Sequence, residues 1–196
     1  MQGLRRIVVI GFDWEPDGPV PAELSVALKA GGFEPADLAV HRSLASARGC
    51  GYLYPAPDSR SVDDRAFERL HLALGRHLPR AGASRLQALM EIDGASVHLP
   101  ATHHYVVQTD VQPQADVEFN AWYDREHMPG LAAVPGTVRA ARYRHLDDGP
   151  RYHACYELAT QNTFGSAPWL AVRATAWSSR VRPAFVNTRR IMFRIT

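Results

Sequence analysis

One segment of the chain concentrates the side chains that could do chemistry. It reads EFNAWYDREHMP, and within it Phe119, Tyr123 and His127 recur at every fourth position. On an α-helix, residues at this spacing lie along one stripe of the surface. The sequence therefore predicts a helix that presents an aromatic ring, a phenol and an imidazole on a single face.

The chemistry that this face suggests is acid/base catalysis. Histidine is the side chain that ordinarily titrates near neutral pH, and Asp124 lies three positions before His127. We expect the Asp124 carboxylate to orient the imidazole and to raise its pKa. We also expect Pro129 and Gly130 to end the helix, so that His127 would lie beside a loop that a substrate can reach.

Two structural explanations compete with this interpretation. Phe119 and Trp122 at helical spacing are more often core residues than parts of a binding site. His127 alone could be a histidine at a helix C-terminus that interacts with the helix dipole. Neither alternative requires catalysis.

Composition limits the class of protein. The chain has 196 residues, of which 46% are apolar and 21% charged, as in ordinary globular proteins. A formal charge of +2 gives no reason to expect a nucleic-acid partner. No stretch approaches the roughly 20 apolar residues that cross a bilayer, and no signal peptide is recognisable, so we expect no membrane partner and a cytoplasmic location.

The elements read as two copies of one α+β motif. Residues 1–98 and 103–196 each show the order βαββαβ, which predicts two tandem ferredoxin-like units. Such a unit leaves one face of its sheet to be covered, and a second unit can cover it. The expected fold is a (pseudo)dimeric α/β barrel.

The elements of the second unit are the more clearly marked. A helix is expected from Asp116 to about Met128 and another from Ser166 to about Val181. The expected strands are His104–Val111, Thr137–His145, Tyr152–Leu158 and Phe185–Ile195.

The chemical segment is similar to the signature of a known superfamily. That signature is Phe-Asn-x-Trp-Tyr-Asp-x-x-His-x-Pro, followed by a Val-Pro-Gly turn and an Arg-Tyr strand. Through this segment, the chain resembles the EthD-like and small polyketide cyclase-like branch of the dimeric α/β-barrel superfamily over about residues 104–196. The matching residues are Phe119, Asn120, Trp122, Tyr123, Asp124, His127, Pro129, Val134, Pro135, Gly136, Arg142 and Tyr143.

The resemblance implies a role for His127 as the acid/base of the C-terminal unit. The first unit lacks the aromatic pair and the histidine, so we expect a degenerate partner that completes the barrel. Tyr123, Asn120 and Arg142 are our candidates for stabilising a developing enolate or phenolate. Phe119, Trp122, Tyr143 and Trp177 are the candidates for an apolar substrate pocket.

The leading functional hypothesis is a cofactor-independent enzyme of the cyclase, dehydratase, isomerase or lyase type, acting on an aromatic or polyketide-like small molecule. No nucleotide-binding motif is present, and His103, His104, His145 and His153 have no carboxylate or cysteine at metal-ligand spacing. The alternatives are a haem-binding oxygenase of the same superfamily and a non-catalytic small-molecule-binding barrel. Oligomers are common in this fold, so a homodimer is possible.

Overall fold

The computed structural model describes residues 5–15, 18–53 and 62–196. None of the helices in these ranges is both long and apolar enough to cross a membrane. The strands are β1 (Arg6–Asp13), β2 (Leu38–Ser43), β3 (Arg48–Leu53), β4 (Gly82–Asp93), β5 (His103–Val111), β6 (Thr137–His145), β7 (Tyr152–Leu158) and β8 (Phe185–Ile195). The α-helices are α1 (Ala22–Gly31), α2 (Asp64–His77), α3 (Asp116–Trp122), α4 (Met128–Ala132), α5 (Ala167–Arg173) and α6 (Ala176–Val181).

The order of strands and helices repeats the βαββαβ motif twice, as the sequence predicts. Hydrogen bonds connect the strands in the order β1-β3-β2-β8-β5-β7-β6-β4, which closes as a barrel. The pairs whose register is defined are antiparallel, for example β5 with β7 and β6 with β7. The predicted fold class, α+β with two ferredoxin-like units in an α/β barrel, is confirmed.

The chain divides into two compact units. Unit 1 holds the described residues up to Ala88 together with His145–Asp148 and Phe193–Thr196, and unit 2 holds Leu89–Arg144 and Gly149–Met192. The divisions fall inside strands β4, β6 and β8. These strands therefore each contribute residues to both units. The predicted domain boundary between residues 98 and 103 stays a prediction.

The core of unit 1 lies between its strands and the helices α1 and α2. Helix α1 ends at Gly32, whose φ of +86° is the left-handed conformation that glycine favours at a helix end. A Cβ at Gly31 would lie 2.9 Å from the Cα of Leu70, so the glycine lets α1 approach α2 closely. No residue of the chemical segment lies in unit 1.

In unit 2 the helix that begins at Asp116 does not end at Pro129 and Gly130, and that prediction is wrong. Helix α3 passes into a π turn (Tyr123–His127) and then into α4, where the Met128 N–H bonds to the Tyr123 oxygen. Pro129 stands in the first turn of α4, where proline is tolerated. His127 therefore lies inside a continuous helical stretch and not beside a loop.

The second predicted helix of unit 2 is also divided. Thr175 separates α5 from α6, and its side-chain hydroxyl accepts a hydrogen bond from the Ser178 N–H at 3.0 Å. Threonine favours such an N-cap over a position within a helix. The break makes Arg173 the last residue of α5, close to the start of α6.

Gly136 provides a test of this fold. It immediately precedes β6, and its φ of +95° is a conformation that residues with a Cβ rarely adopt. A Cβ there would lie 2.2 Å from Oγ1 of Thr163. We expect Gly136→Ala to lower the free energy of unfolding by about 2–4 kcal/mol, from backbone strain and overlap together. Urea unfolding measures this loss.

The matched control is Gly75→Ala. Gly75 lies within α2, and a Cβ there meets nothing within 4 Å. Alanine should raise the free energy of unfolding by about 0.5–1 kcal/mol, because glycine is the poorer helix former. A Gly136→Ala protein as stable as the wild type would contradict the described turn.

Candidate active site

The chemical segment lines a cavity in unit 2. The cavity has a volume of about 30 Å³, enough for one or two water molecules. Three arginines form part of its wall: Arg173, Arg182 and Arg190. The remaining lining is mostly aromatic or aliphatic: Tyr105, Val107, Trp122, Tyr123, Leu131, Tyr156, Trp169 and Phe185, with the His127 imidazole among them.

His127 is held between two aromatic rings at the cavity wall. Its imidazole stacks on the Trp122 indole with ring centroids 4.1 Å apart, and it meets the Tyr123 ring edge-on at 5.2 Å. The residue is 8% exposed, and its buried Nδ1 has no hydrogen-bond partner among the described residues. Nε2 is therefore the nitrogen through which His127 can exchange a proton with a ligand.

The surroundings of His127 favour the neutral imidazole. Burial, together with the positive charges of Arg173, Arg182 and Arg142, lowers the pKa of His127 to about 3. The prediction that Asp124 orients His127 and raises its pKa is wrong. The Asp124 carboxylate accepts a hydrogen bond from Arg142 instead, at 3.0 Å.

Arg142 forms a buried network beside the cavity and does not line it. Its guanidinium donates to Asp124 Oδ1 at 3.0 Å and to Asn120 Oδ1 at 2.6 Å, and it lies over the Tyr123 ring at 4.5 Å from the centroid. The side chain is 1% exposed, and a buried guanidinium requires such partners. Asn120, Asp124 and Arg142 therefore fix the helix against β6, on the far side of the aromatic wall.

The network continues from Asn120 to the surface. Asn120 Nδ2 donates to the Tyr152 hydroxyl at 2.9 Å, and that hydroxyl donates to Asp116 Oδ1 at 2.7 Å. The chain of hydrogen bonds therefore ties both ends of α3 to β6 and β7.

Of the predicted pocket and acid/base residues, Trp122, Tyr123 and His127 line the cavity, whereas the others lie elsewhere. Phe119 is fully buried behind Tyr123, with ring centroids 4.9 Å apart. Tyr143 is buried and donates to Glu91 Oε1 at 3.2 Å. Trp177 is half-buried and packs on the edge of the apolar core.

Tyr123 keeps its proton over the ordinary pH range. Burial, partly opposed by the positive charge of Arg142, raises the pKa of its phenol to about 12. A neutral phenol can donate a hydrogen bond to a ligand but cannot act as a base near neutral pH. Tyr123 therefore suits stabilisation of negative charge rather than proton abstraction.

Several lining residues had not been identified from the sequence. Four of these residues are aromatic and lie on β5, β7, α5 and β8, namely Tyr105, Tyr156, Trp169 and Phe185. The three arginines lie on α5, on the turn after α6 and on β8. No local motif connects residues so far apart in the chain. In the part of the chain that the structure describes, no three His, Cys, Asp or Glu side chains group as metal ligands would.

Comparison with known proteins identifies the fold. No protein-family model and no curated protein sequence matches the chain. A solved structure described as an anthrone oxidase-like protein matches with a TM-score of 0.63 and 15% identity, covering 100% of this chain and 92% of that one. A ferredoxin-fold protein related to antibiotic biosynthesis monooxygenases, from Listeria monocytogenes 4b F2365, has a TM-score of 0.59 and 7% identity, covering 100% and 96%.

A third match is a haem-degrading enzyme from Listeria monocytogenes, with a TM-score of 0.58 and 5% identity, covering 98% of this chain and 100% of that one. Identities this low show a shared fold only. The structures therefore support the dimeric α/β-barrel fold that the motif indicated, whereas the EthD-like branch stays a prediction.

The low pKa of His127 predicts how stability depends on pH. Between about pH 3 and 6.5 the folded protein binds fewer protons than the unfolded chain, so the free energy of unfolding falls as the pH falls through this window. At pH 5 the loss due to His127 should be about 2 kcal/mol. Urea unfolding of wild type and His127→Gln at pH 7 and pH 5 measures it.

The wild type should lose more stability than His127→Gln over that change in pH. Some loss remains in the variant, because burial also lowers the pKa of His41, in unit 1, to about 4. An equal loss in both proteins would mean that His127 is not buried in its neutral form.

Proposed function

We propose that the chain is a small-molecule enzyme that moves a proton on an aromatic or polyketide-like substrate in the unit 2 cavity, with His127 as the base. The observation that carries this proposal is the neutral imidazole on an aromatic wall beside three guanidinium groups. A base next to cationic groups suits a reaction that creates new negative charge on its substrate.

The proposed step is an enolisation. A C–H bond beside a carbonyl, or conjugated with one through an aromatic ring, breaks. Its proton passes to His127 Nε2, and its electron pair is delocalised onto the carbonyl oxygen, which becomes an enolate or phenolate oxygen. Tyr123 can donate a hydrogen bond to that oxygen, and the guanidinium groups stabilise its charge. Asn120 and Arg142 are positioning residues in this account, because their hydrogen bonds hold the helix that carries Tyr123 and His127.

The low pKa of His127 in the free protein is compatible with this step. The arginine charges account for part of the lowering of the His127 pKa, and a substrate anion would offset those charges. The imidazolium and the anion would then form together as an ion pair within the aromatic wall. The basicity of His127 is therefore expected to rise when the anion forms, and only then.

Proton abstraction is the first step of several reaction types. Cyclisation, dehydration, isomerisation and lyase reactions begin this way, and so does oxidation of an enolate by O2. The fold neighbours include an anthrone oxidase-like protein and a relative of antibiotic biosynthesis monooxygenases, which supports an oxygenase as much as a cyclase. The EthD-like motif supports the same proton step without selecting among them.

A substrate must enlarge the cavity, since 30 Å³ is far less than a fused-ring molecule occupies. The wall can yield at the arginines, because Arg190 is exposed, Arg173 and Arg182 are half-buried, and none of them has a carboxylate partner among the described residues. The aromatic side of the wall is fixed by its packing in the core.

Haem is the second candidate ligand, because one fold neighbour is a haem-degrading enzyme. Haem would require the cavity to enlarge much further than a fused-ring substrate would, since pockets for ligands of that size hold several hundred Å³. His127 is the one imidazole among the described lining residues, and its stacking on Trp122 restricts the rotation that iron ligation would need. We therefore assign no step to haem.

Anthrone, an enolisable aromatic ketone, is the probe for the proton step. In anaerobic D2O buffer at pH 7, the wild type should accelerate exchange of the C10 methylene protons, followed by NMR. His127→Gln should lower the enzymatic rate by about a hundredfold or more, the usual contribution of a positioned base. His71→Gln, an exposed position in α2, is the matched control and should exchange as the wild type does.

Admitting O2 then separates the reaction types. Oxygen consumption with conversion to anthraquinone identifies an oxidase, whereas exchange alone identifies a proton-transfer enzyme. The proposal is contradicted if the wild type exchanges no faster than His127→Gln. It is also contradicted if haemin gives the wild type a shifted Soret band that His127→Gln lacks.

A further inference from the structure

We infer that the substrate of the unit 2 cavity carries a carboxylate, and that Arg173, Arg182 and Arg190 bind it while the aromatic wall holds its ring. The inference rests on the proposed function and adds the class of substrate. It comes from a cluster of three positive charges at the cavity, whereas the proton step creates only one negative charge.

The three arginines converge from separate elements on one cavity. Arg173 ends α5, Arg182 begins the turn after α6, and Arg190 lies in β8. Arg182 Nη1 donates to the backbone oxygen of Arg173 at 3.4 Å, which is a long hydrogen bond. None of the three forms an ion pair with any carboxylate in the described ranges 5–15, 18–53 and 62–196.

Other arginines of unit 2 show that carboxylates are available in this part of the chain. Four of them have an acidic partner within 3.2 Å: Arg139 with Glu91, Arg142 with Asp124, Arg151 with Asp116 and Arg180 with Glu118. The cluster at the cavity therefore stands out as positive charge that the unit itself does not neutralise.

The cluster is electrostatically costly when no anion is bound. Burial lowers the pKa of Arg182, and the charges of Arg173 and Arg190 lower it further. Repulsion among like charges close to an apolar wall is relieved by an anion placed among them. A ligand that brings negative charge to this place gains an interaction that a neutral ligand lacks.

The chemistry of the wall selects the kind of anion. A guanidinium offers a planar fork of donors that matches a carboxylate, and two or three such forks can bind one carboxylate together. Tyr105, Trp169 and Phe185 line the same cavity and offer faces and edges for a flat ring. An aromatic carboxylate combines both contacts, with its ring toward His127 and its charge toward the arginines.

The test compares 2-naphthoate with the neutral 2-naphthamide by isothermal titration calorimetry, in about 20 mM salt so that screening is weak. We expect the wild type to bind the carboxylate at least about tenfold more tightly than the amide. Arg182→Gln and Arg173→Gln should each weaken naphthoate binding by about tenfold and leave the amide unchanged. Both variants should fold, because neither arginine forms an ion pair among the described residues.

Arg180→Gln is the matched control. It lies in α6, pairs with Glu118 at 2.7 Å and does not line the cavity, yet it removes the same unit of charge. Naphthoate should bind this variant as it binds the wild type. An equal loss in Arg180→Gln and Arg182→Gln would reduce the effect to net charge and overturn the inference.

Two other results also overturn the inference: equal affinity for naphthoate and naphthamide, and no binding of naphthoate at all. Failure of the proposed function remains distinguishable, because anthrone is neutral and its exchange needs no carboxylate. A preference for naphthoate without anthrone exchange would leave the anion site standing and remove the proton step, and the reverse result would do the opposite.

Discussion

The stacking of the His127 imidazole on Trp122 is the contact on which the site depends. It places a titratable ring in an apolar wall, where burial keeps it neutral, and it leaves Nε2 as the nitrogen that a ligand can reach. The π turn makes this contact, because one additional residue per turn rotates the residues that follow it around the helix. The same turn shifts the hydrogen-bond register so that the helix continues through Pro129. The proposed base and a local departure from α-helical geometry thus coincide, and π turns are frequent at functional sites.

Positive charge surrounds this neutral base on two sides, with different consequences. Arg142 is enclosed by Asp124, Asn120 and aromatic rings, and its Nη1 and Nη2 donate to Asp124 and Asn120, which ties β6 to the helical segment. The guanidinium groups of Arg173, Arg182 and Arg190 have no carboxylate partner among the described residues, and the charges of Arg173 and Arg182 lower the pKa of His127. The residues of the motif therefore differ in position relative to the cavity. Those that bind Arg142 support the wall, whereas Trp122, Tyr123 and His127 form it.

The sequence predicts the second unit's strands closely, because alternating apolar residues bounded by turn residues define them; Thr137–His145 and Tyr152–Leu158 agree residue for residue. It fails where a longer-range partner decides. Spacing places Asp124 within reach of His127, but the buried Arg142 cation, 18 residues away, binds that carboxylate instead. Pro129 predicts the end of a helix, but the π turn shifts the hydrogen-bond register before it, and the helix continues as α4. No local sequence motif predicts the arginine cluster, because its members lie on α5, the turn after α6 and β8 and come together only in the folded unit.

The most direct test of the account is whether a ring in the unit 2 cavity touches His127. In the complex of the wild type with 2-naphthoate, NMR spectra with ¹³C-labelled histidine should show nuclear Overhauser effects between the naphthalene protons and the His127 ring. The neutral base, the aromatic wall and the cationic rim would then be parts of one binding site. Effects to other histidines and none to His127 would contradict the account, because the ligand would bind elsewhere and the stacked imidazole would be part of the core.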